Sequence, residues 1–425
     1  AMPPHSGVSQ RRGGASSYLF PSSVAMTAAH IIGQSSLTLW GLTSHARLAR
    51  QLARIEGVEL SSKAPGSLAG NALLIRADYL FEPRTLKGLL QRGGVLMDGD
   101  VAAAAAVEAS QVEVAQALLR GEATPAADGL SRLGADDLAA FEGDLRLATP
   151  PLLERITPSR AGALEDRLYG ASYKGITDFV TKWWWPVPAK AAVRVCANRR
   201  ISPNAVTLAG LFLMLAACWL FFFAGQAPKG EGWLWAGLVP AWLMTFLDTV
   251  DGKLARVTVQ SSQAGHWLDH GMDILHPPFW YWLWGLSLTP FEPIWGLGFD
   301  ALLLLTVGGY LAGRLIEAAF HALGSVSLFA WRPFDAYFRL ITARRNPCLV
   351  ILTLCLLVGA PVAGFALVAL WTALSSLVML ARLGIAVGSR IRSGPLQSWL
   401  ADPEASLRHP RAHRTFSSTR RAYGS

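Results

Sequence analysis

Cysteine is scarce in this 425-residue chain, which contains only four. Cys196, Cys218, Cys348 and Cys355 are scattered, and three of them lie within apolar runs. None forms a C-x-x-C pair or has a histidine at metal-ligand spacing, so a cysteine-based metal site is excluded. We interpret them as packing thiols in a reducing or lipid setting.

Charged residues are also few, at 16% of the chain, whereas hydrophobic residues make up 52%. With a positive mean hydropathy, the chain is too apolar to be soluble throughout. The first part, up to about residue 170, nevertheless lacks any apolar run long enough to cross a bilayer. The chain therefore has two unlike parts, a soluble one followed by a membrane-embedded one.

Apolar runs of roughly spanning length recur in the second part, at about 204–224, 233–250, 270–290, 297–318, 347–365 and 366–388. They predict an α-helical polytopic membrane protein with six transmembrane helices. Lys and Arg cluster before the first run and after the second, fourth and last runs, so the positive-inside rule puts both termini on the cytoplasmic side of an inner or plasma membrane. The net charge of +9 lies mostly in these segments, which indicates anionic lipid head groups and no nucleic acid as its partner.

The soluble part has the alternating pattern of an α/β domain. Apolar runs near 36–40, 71–77 and 94–98 alternate with helical stretches near 43–54, 83–91 and 102–119, which predicts a largely parallel sheet. The predicted organisation is a flexible N-terminus at 1–24, an α/β domain at 25–165, an interfacial amphipathic helix and connector at 166–203, a membrane domain at 204–392 and a basic cytoplasmic tail at 393–425.

The most informative segment reads D-T-V-D-G-K-L-A-R-V-T-V-Q-S-S-Q-A-G-H-W-L-D-H-G-M-D. Asp248 and Asp251 are three residues apart, and Asp269 and Asp273 are four apart, so each pair projects from one face of its own helix. Two such helices side by side would bring four carboxylates together. Carboxylates that close repel one another unless cations separate them, and oxygen ligands favour Mg²⁺ or Mn²⁺. The spacing predicts a site for two divalent ions.

The string D-x2-D-G-x2-A-R-x8-G-x3-D-x3-D resembles the signature of the CDP-alcohol phosphotransferases. Its positions are filled here by Asp248, Asp251, Gly252, Ala255, Arg256, Gly265, Asp269 and Asp273. The resemblance implies that all four aspartates are metal ligands and that Asp273 is also the general base for an acceptor hydroxyl. It implies a nucleotide site formed by Asn204, Thr207, Asp248, Gly252, Ala255, Arg256 and Gly265.

The connector carries two further features of the same family. Lys and Arg mixed with Trp183, Trp184 and Trp185 resemble the interfacial helix that precedes the first span. The following I-S-P-N-A-V-T resembles the family's P-N-x-x-T start of that span. Arg345 in R-R-N-P is the candidate for an anionic acceptor, against a simple positive-inside anchor. Arg314 is open between an acceptor contact and an ion pair with Glu317.

The N-terminal domain resembles a degenerate sugar-nucleotidyltransferase, or cytidylyltransferase, which some members of the family carry. The segment A-H-I-I-G-Q-S-S stands where that fold has its glycine-rich phosphate loop, but it lacks the required glycines and arginine. We therefore expect a catalytically silent domain.

The expected reaction moves a substituted phosphate group from a CDP-linked donor to an acceptor hydroxyl by direct attack, with release of CMP. The donor is either CDP-diacylglycerol or a CDP-inositol-like molecule, and the acceptor is a polyol, a polyol phosphate or a lipid. The resemblance also implies a homodimer. The alternatives are an inactive membrane scaffold or transporter that keeps the fold, and a bifunctional enzyme with an active N-terminal cytidylyltransferase.

Overall fold

The computed structural model describes residues 26–61, 70–122, 129–138, 141–142, 147–148, 151–227, 230–260, 263–402 and 404–416. The side chains of residues 263–264, 266–270, 272–273 and 275, and of the strand residues 141, 142, 147 and 148, fall outside this description. The predicted flexible N-terminus at 1–24 also lies outside it.

The strands are β1 (Thr27–Ile32), β2 (Thr38–Leu39), β3 (Leu42–Thr43), β4 (Val58–Leu60), β5 (Asn71–Arg76), β6 (Tyr79–Phe81), β7 (Gly94–Asp98), β8 (Val101–Glu108), β9 (Arg132–Leu133), β10 (Phe141–Glu142), β11 (Leu147–Ala148) and β12 (Leu153–Arg155). The helices are α1 (Ser44–Leu52), α2 (Pro83–Arg92), α3 (Val112–Leu119), α4 (Ala161–Ala171), α5 (Pro186–Asn198), α6 (Pro203–Ala224), α7 (Gly230–Val257), α8 (Gln263–Ser287), α9 (Phe299–Gly324), α10 (Pro333–Ile341), α11 (Arg345–Leu357), α12 (Pro361–Ser393), α13 (Ala405–Arg408) and α14 (Pro410–Phe416).

The N-terminal region is α/β, as predicted, but its main sheet is mixed. Among the described residues the strand order is β4-β1-β5-β8-β7-β9. Strand β1 is parallel to β4 and β5, and β9 is parallel to β7, whereas β8 is antiparallel to both of its neighbours. Helices α1 and α2 pack on one face of this sheet and α3 packs on the other.

The alanine-rich run shows why the expected topology was only partly right. Residues 102–119 were predicted as one helix, but Val101–Glu108 is the central strand β8 and only Val112–Leu119 is helical. Alanine is the best helix former, yet Ala102 through Ala106 are all buried between the two helical layers. A strand covered on both faces needs apolar residues throughout, and tertiary packing outweighs the local propensity.

The membrane-embedded part contains four described helices that are long and apolar enough to cross a bilayer: α6, α7, α9 and α12. The pair α10 and α11, bent by 42°, brings the number to five if it counts as one span. Helix α8, predicted as the third span, has the length but is not among them. Its His, Pro, Trp and Asp residues lower its hydropathy.

The boundary between the last two predicted spans is wrong. Helix α11 ends at Leu357 and α12 begins at Pro361, so the run 347–365 is not one helix. Gly359 has φ +69° in the connection, which is the left-handed region that favours glycine. Pro361 then occupies the first turn of α12, where its missing N–H has no cost.

One hydrophobic cluster joins the α/β region to the membrane helices. Leu39 and Trp40 of the α/β region pack in the same core as Leu168 of α4, Val193 of α5 and Leu254 of α7. Trp40 also donates from its backbone N to Glu165 Oε1 (2.9 Å) and from its indole Nε1 to the Glu165 carbonyl (2.9 Å). The soluble part is thus packed onto the helix that carries the first aspartate pair.

The connector consists of α4, a π-helical turn at Val180–Trp184 and α5, where the sequence predicted one interfacial helix. Trp183 and Trp184 are 57% and 52% exposed, as expected of aromatic side chains at head-group depth. Trp185 instead packs edge-on against Phe246 of α7 (5.2 Å between ring centroids). The connector therefore contacts the bundle through one face and leaves the indoles of Trp183 and Trp184 more than half exposed.

The basic C-terminal segment, predicted as a tail at 393–425, is folded against the bundle in its described part. Trp399 and Leu400 in a 3₁₀ turn, and Phe416 in α14, are buried in the cluster that includes residues of α9, α10 and α12. Residues 417–425 lie outside the described chain. Apolar residues spaced along this stretch explain the difference, since each of them gains burial by folding back.

Lys182 supports a prediction about pH. Its Nζ donates to the Gly175 carbonyl (3.0 Å) and lies 5.3 Å from the centre of the buried Phe416 ring. Burial lowers the pKa of Lys182 to about 8, from an ordinary value of 10.5. The folded protein therefore releases this proton at lower pH than the unfolded chain, and the free energy of unfolding should rise between about pH 8 and 10.5, by at most about 1.4 kcal/mol per pH unit.

In Lys182→Met, the rise in the free energy of unfolding between about pH 8 and 10.5 that is due to this side chain should be lost. Unfolding of wild-type protein and variant in detergent, measured at several pH values, checks it. Lys174→Met, at an exposed position in the same connector, is the control that should keep the slope. An unaltered slope in Lys182→Met would contradict the assignment.

Candidate active site

The first aspartate pair lies near the C-terminal end of α7. Asp251 is buried, and its Oδ2 accepts a hydrogen bond from Thr207 Oγ1 of α6 (2.6 Å). Pro203 occupies the first position of α6 and Ser202 is its N-cap, accepting from Ala205 N at 3.2 Å. The P-N-x-x-T segment therefore starts α6 at a defined residue and directs its threonine toward Asp251.

Asp248, one turn earlier on α7, forms an ion pair with Arg345 at the start of α11. Arg345 Nη1 also lies 3.7 Å from Met244 Sδ. The sequence predicted Arg345 as an acceptor-binding residue and Asp248 as a metal ligand, without indicating that they meet. A cationic group is thus available at the aspartate pair.

The glycine and arginine of the motif are adjacent in space. Arg256 Nε donates to the Ser172 carbonyl at 2.6 Å, and its guanidinium lies over Gly252. A Cβ at Gly252 would be 3.2 Å from Arg256 Nη2, tighter than most real contacts. The glycine therefore leaves room for the arginine, whose side chain is exposed.

For the second aspartate pair, the structure describes only the backbone. Asp269 and Asp273 lie one turn apart on α8, but their side chains are outside the described part of the structure. Gly265 lies in the first turn of α8. No group of three or more His, Cys, Asp or Glu residues at metal-binding distance occurs among the described side chains, which do not include these two carboxylates.

The oxygen ligands among the described residues fit a hard divalent cation. Asp248 and Asp251 supply carboxylate oxygens from adjacent turns of one helix, and Thr207 adds a hydroxyl beside them. Oxygen-only ligands of this kind suit Mg²⁺ or Mn²⁺ and are poor ligands for zinc or copper.

Arg314 forms an ion pair with Glu317. This was one of the two roles that the sequence left open for Arg314, the other being an acceptor contact. Glu317 Oε2 is 3.8 Å from Arg314 Nη1, and Glu317 Oε1 pairs with Arg344. These three residues line a narrow cavity between α9 and α12, together with Gly309, Gly313 and Ser376. The two neighbouring arginines at the start of α11 thus have different partners, Glu317 for Arg344 and Asp248 for Arg345.

Asn204 is exposed one turn before Thr207 on α6, and Ala255 is half-buried in the last turn of α7. The structure brings Thr207, Asp248, Asp251 and Arg345 together. Arg314 instead lines the neighbouring cavity between α9 and α12, and Arg256 contacts the connector at Ser172.

A buried polar network that the sequence motifs did not predict fixes the start of α11. Asp178 of the connector is buried and accepts from Asn346 Nδ2 (2.9 Å), Thr181 Oγ1 (2.9 Å) and Thr181 N (3.0 Å). Because Asn346 follows Arg345, this network positions the arginine that pairs with Asp248. The signal in the sequence was an isolated acidic residue within a Trp-rich, basic segment.

Lys253, one of the two variable positions of D-G-K-L-A-R, was also not predicted to have a role. It is fully buried, and its ammonium group lies against the rings of Tyr173 and Tyr169. Aromatic faces stabilise a cation that has lost its water. This buried lysine therefore helps to hold the connector against the turn of α7 that follows Asp251.

The chain combines apolar helices long enough to cross a membrane, carboxylates near the end of one of these helices, and an α/β region. These features define a membrane protein with a polar site at the helix ends. Residues 200–312 match the sequence profile of the CDP-alcohol phosphatidyltransferase family. The matching segment covers α6 to α8 and part of α9, so this part of the chain carries the family's domain.

Three characterised proteins are similar to the chain. Choline/ethanolaminephosphotransferase 1 of Arabidopsis thaliana is 29% identical over 166 residues, which covers 31% of this chain and 42% of the relative. Cholinephosphotransferase 1 of Gallus gallus is 26% identical over 129 residues, which covers 29% of this chain and 36% of the relative. Archaetidylinositol phosphate synthase of Pyrococcus horikoshii is 33% identical over 88 residues, which covers 21% of this chain and 43% of the relative. The chain thus spans about two fifths of the length of these relatives.

The hydrogen bond between Thr207 and Asp251 leads to a direct prediction. Thr207→Val keeps the shape of the side chain but removes the donor that orients the carboxylate, so the rate of CMP release should fall about 10- to 100-fold. Thr207→Ser, which restores the hydroxyl, should recover most of the rate. Initial rates in detergent check both variants. Equal activity of Thr207→Val and wild type would show that this bond is not needed.

Proposed function

We propose that this protein is an integral-membrane CDP-alcohol phosphotransferase that transfers a substituted phosphate group from a CDP-linked donor to an acceptor hydroxyl and releases CMP. The observation that carries the proposal is the buried Asp251, the second aspartate of a complete eight-position motif, bonded to Thr207 of the P-N-x-x-T segment. Both residues belong to the segment that matches the family.

Two divalent ions, Mg²⁺ or Mn²⁺, would be held by Asp248, Asp251, Asp269 and Asp273. When bound, they neutralise the charge that develops on the phosphates of the donor. Asp248 would exchange its ion pair with Arg345 for a metal contact, which leaves Arg345 able to bind an anionic group of a substrate. Thr207 keeps the Asp251 carboxylate oriented throughout.

The reaction we propose is a direct displacement. The acceptor oxygen attacks the β-phosphorus of the donor, the bond from that phosphorus to the oxygen bridging it to CMP breaks, and CMP leaves with the electron pair. Asp273 takes the proton of the hydroxyl as the new P–O bond forms. Asn204, Thr207, Asp248, Gly252, Ala255, Arg256 and Gly265 would form the nucleotide site.

The substrates fall into two pairings. One is CDP-diacylglycerol with a polyol or polyol phosphate, and the other is a CDP-inositol-like donor with a lipid or phosphorylated acceptor. Arg345 beside the aspartates, with Arg314 and Arg344 in the adjacent cavity, supports an anionic acceptor. The names of the similar proteins include choline, ethanolamine and inositol phosphate, so they leave both pairings open.

We also propose a six-span arrangement in which α8 is the third span, with both termini and the active site on the cytoplasmic side of an inner or plasma membrane, and a homodimer as the assembly. The α/β region would be a catalytically silent relative of the nucleotidyltransferases. Its task would then be structural, because the loop after β1 lacks the glycine-rich phosphate motif.

The test is CMP release by the detergent-purified protein with Mg²⁺ or Mn²⁺. CDP-diacylglycerol and CDP-inositol are offered as donors against polyol, polyol-phosphate and lipid acceptors. Release that depends on one donor, one acceptor and the metal supports the proposal and identifies the substrates. Failure to bind CDP and to release CMP from either donor would overturn it in favour of a scaffold or transporter. Pyrophosphate release from CTP and a polyol phosphate would instead indicate a second, N-terminal activity.

A further inference from the structure

The C-terminal end of α7 has an unusual set of hydrogen-bond partners. The last carbonyls of a helix have no partner within the helix and must find one elsewhere. The Leu254 carbonyl accepts from Thr258 N (3.0 Å) and the Ala255 carbonyl accepts from Gln260 N (2.8 Å). Local backbone bonds of this kind account for the carbonyls up to Arg256, which accepts from Val259 N (3.3 Å).

The next two carbonyls are satisfied by the α/β region. Arg47 Nη1 donates to the Val257 carbonyl (2.7 Å), and Arg50 Nη1 donates to the Thr258 carbonyl (2.8 Å). Both arginines project from α1, one turn apart, which is the spacing that lets them reach consecutive carbonyls. Their positive charge also suits the negative end of the helix dipole.

Arg47 is built into this interface. It is 3% exposed, and its Nη2 donates to the Leu39 carbonyl (2.8 Å), so one guanidinium bridges the β2–β3 hairpin and the end of α7. Burial, together with the nearby charge of Arg50, lowers the pKa of Arg47 to about 10, while Glu165 raises it. Even so, Arg47 stays protonated at neutral pH and keeps its donors.

The capped turn is the turn that carries the nucleotide-site arginine. Arg256 immediately precedes Val257, and Asp251 lies almost two helical turns upstream of the capped carbonyls. The connector holds the same stretch, through the Ser172 carbonyl on Arg256 and the two tyrosines around Lys253. Asp251 has its own support from Thr207, whereas the last turn depends on groups outside the membrane helices.

We propose that the α/β region acts as a cap on the aspartate-bearing helix, with Arg47 and Arg50 as positioning residues that hold the last turn of α7, and thereby Arg256, in the geometry that binds the phosphates of the nucleotide. This inference rests on the proposed function for its effect on CDP. It assigns the soluble part a task that needs neither a phosphate loop nor an activity of its own.

Arg50→Ala tests the proposal in the full-length protein, because Arg50 is only half-buried and its loss is less disruptive than loss of Arg47. The Kd of CDP in the presence of Mg²⁺ and the KM of the donor should each rise about tenfold, as expected for loss of a charged hydrogen bond at a helix end. The change in kcat should be less than about threefold, because Asp251 keeps its Thr207 contact. Arg50→Lys should restore most of the affinity.

The matched control is Arg54→Ala, which removes an exposed arginine that follows the same helix. It should leave CDP affinity unchanged. Amide hydrogen exchange of residues 253–260 provides a readout independent of activity, and it should become faster in Arg50→Ala and stay as in wild type in Arg54→Ala.

The outcomes are separable. If Arg50→Ala lowers thermal stability but leaves CDP affinity and the exchange of residues 253–260 unchanged, the arginine serves the fold only and the proposal is overturned. If wild type neither binds CDP nor releases CMP, the proposed function fails, while faster exchange in Arg50→Ala would still establish the cap. Faster exchange with a tenfold loss of CDP affinity establishes both parts.

Discussion

Replacing Asp251 by asparagine is expected to lower the rate of CMP release on the order of a thousandfold or more, with little change in the fold. The substitution removes the negative charge that a divalent ion needs but keeps an oxygen that accepts the hydrogen bond from Thr207. Loss of a ligand should exceed the effect of losing Thr207, which acts only through the carboxylate. Initial rates at saturating donor and acceptor measure the effect.

The size of the deficit has to be separated from misfolding. Asp166→Asn is the control, because Asp166 is a partly exposed carboxylate of the connector that pairs with Lys190 (2.8 Å) and lies outside the eight-position motif. It should retain wild-type activity. Equilibrium binding of Mn²⁺ should weaken in Asp251→Asn and stay unchanged in Asp166→Asn. Near-normal turnover by Asp251→Asn would remove this residue from the list of metal ligands.

Asp335→Ala should cause the largest loss of stability among single substitutions in the described bundle, about 3–5 kcal/mol in the free energy of unfolding. Asp335 has no exposed surface and accepts two hydrogen bonds from Arg382 of α12, at 2.6 and 2.9 Å, and one from Arg332 N at 3.1 Å. Its removal leaves the guanidinium of Arg382, whose side chain is only 16% exposed, without its counter-charge. Chemical unfolding in detergent, followed by tryptophan fluorescence, measures the loss.

The double variant Asp335→Leu with Arg382→Met tests the cause. Replacing both charges by apolar groups removes the uncompensated guanidinium, so most of the lost stability should return. An exposed pair provides the comparison: Arg408→Ala, which breaks contacts with Glu404 and Asp402, should cost less than about 1 kcal/mol. A double variant as unstable as Asp335→Ala would mean that packing, not the charge, governs this position.

Much of the site could be predicted because its chemistry is local. Asp248 and Asp251 share a helix face at a spacing that follows from the helical repeat, and Pro203 marks the start of the preceding helix. The structure adds Arg345 beside Asp248, from a helix that begins almost a hundred residues later along the chain. No periodicity in the sequence signals such a pairing.

The errors in the predicted fold also have a common physical origin. Ala102–Ala106 favour a helix by themselves but form a strand because helices cover both faces of the sheet. The C-terminal segment looks like a charged tail, yet Trp399 and Phe416 are buried against α9, α10 and α12. In both cases a local tendency is outweighed by burial that only the assembled molecule provides.

By itself, the sequence determined the division into an α/β part and an apolar helical part, and it contains a family signature in residues at fixed spacing along two helices. These properties depend on composition and on short-range periodicity, which the chain carries locally. The tertiary structure decided which side chains meet. Thr207 with Asp251, Arg345 with Asp248, and Arg47 with the end of α7 are separated by 44, 97 and 210 residues. Such contacts form only when packing brings distant segments together, so no local pattern could have specified them.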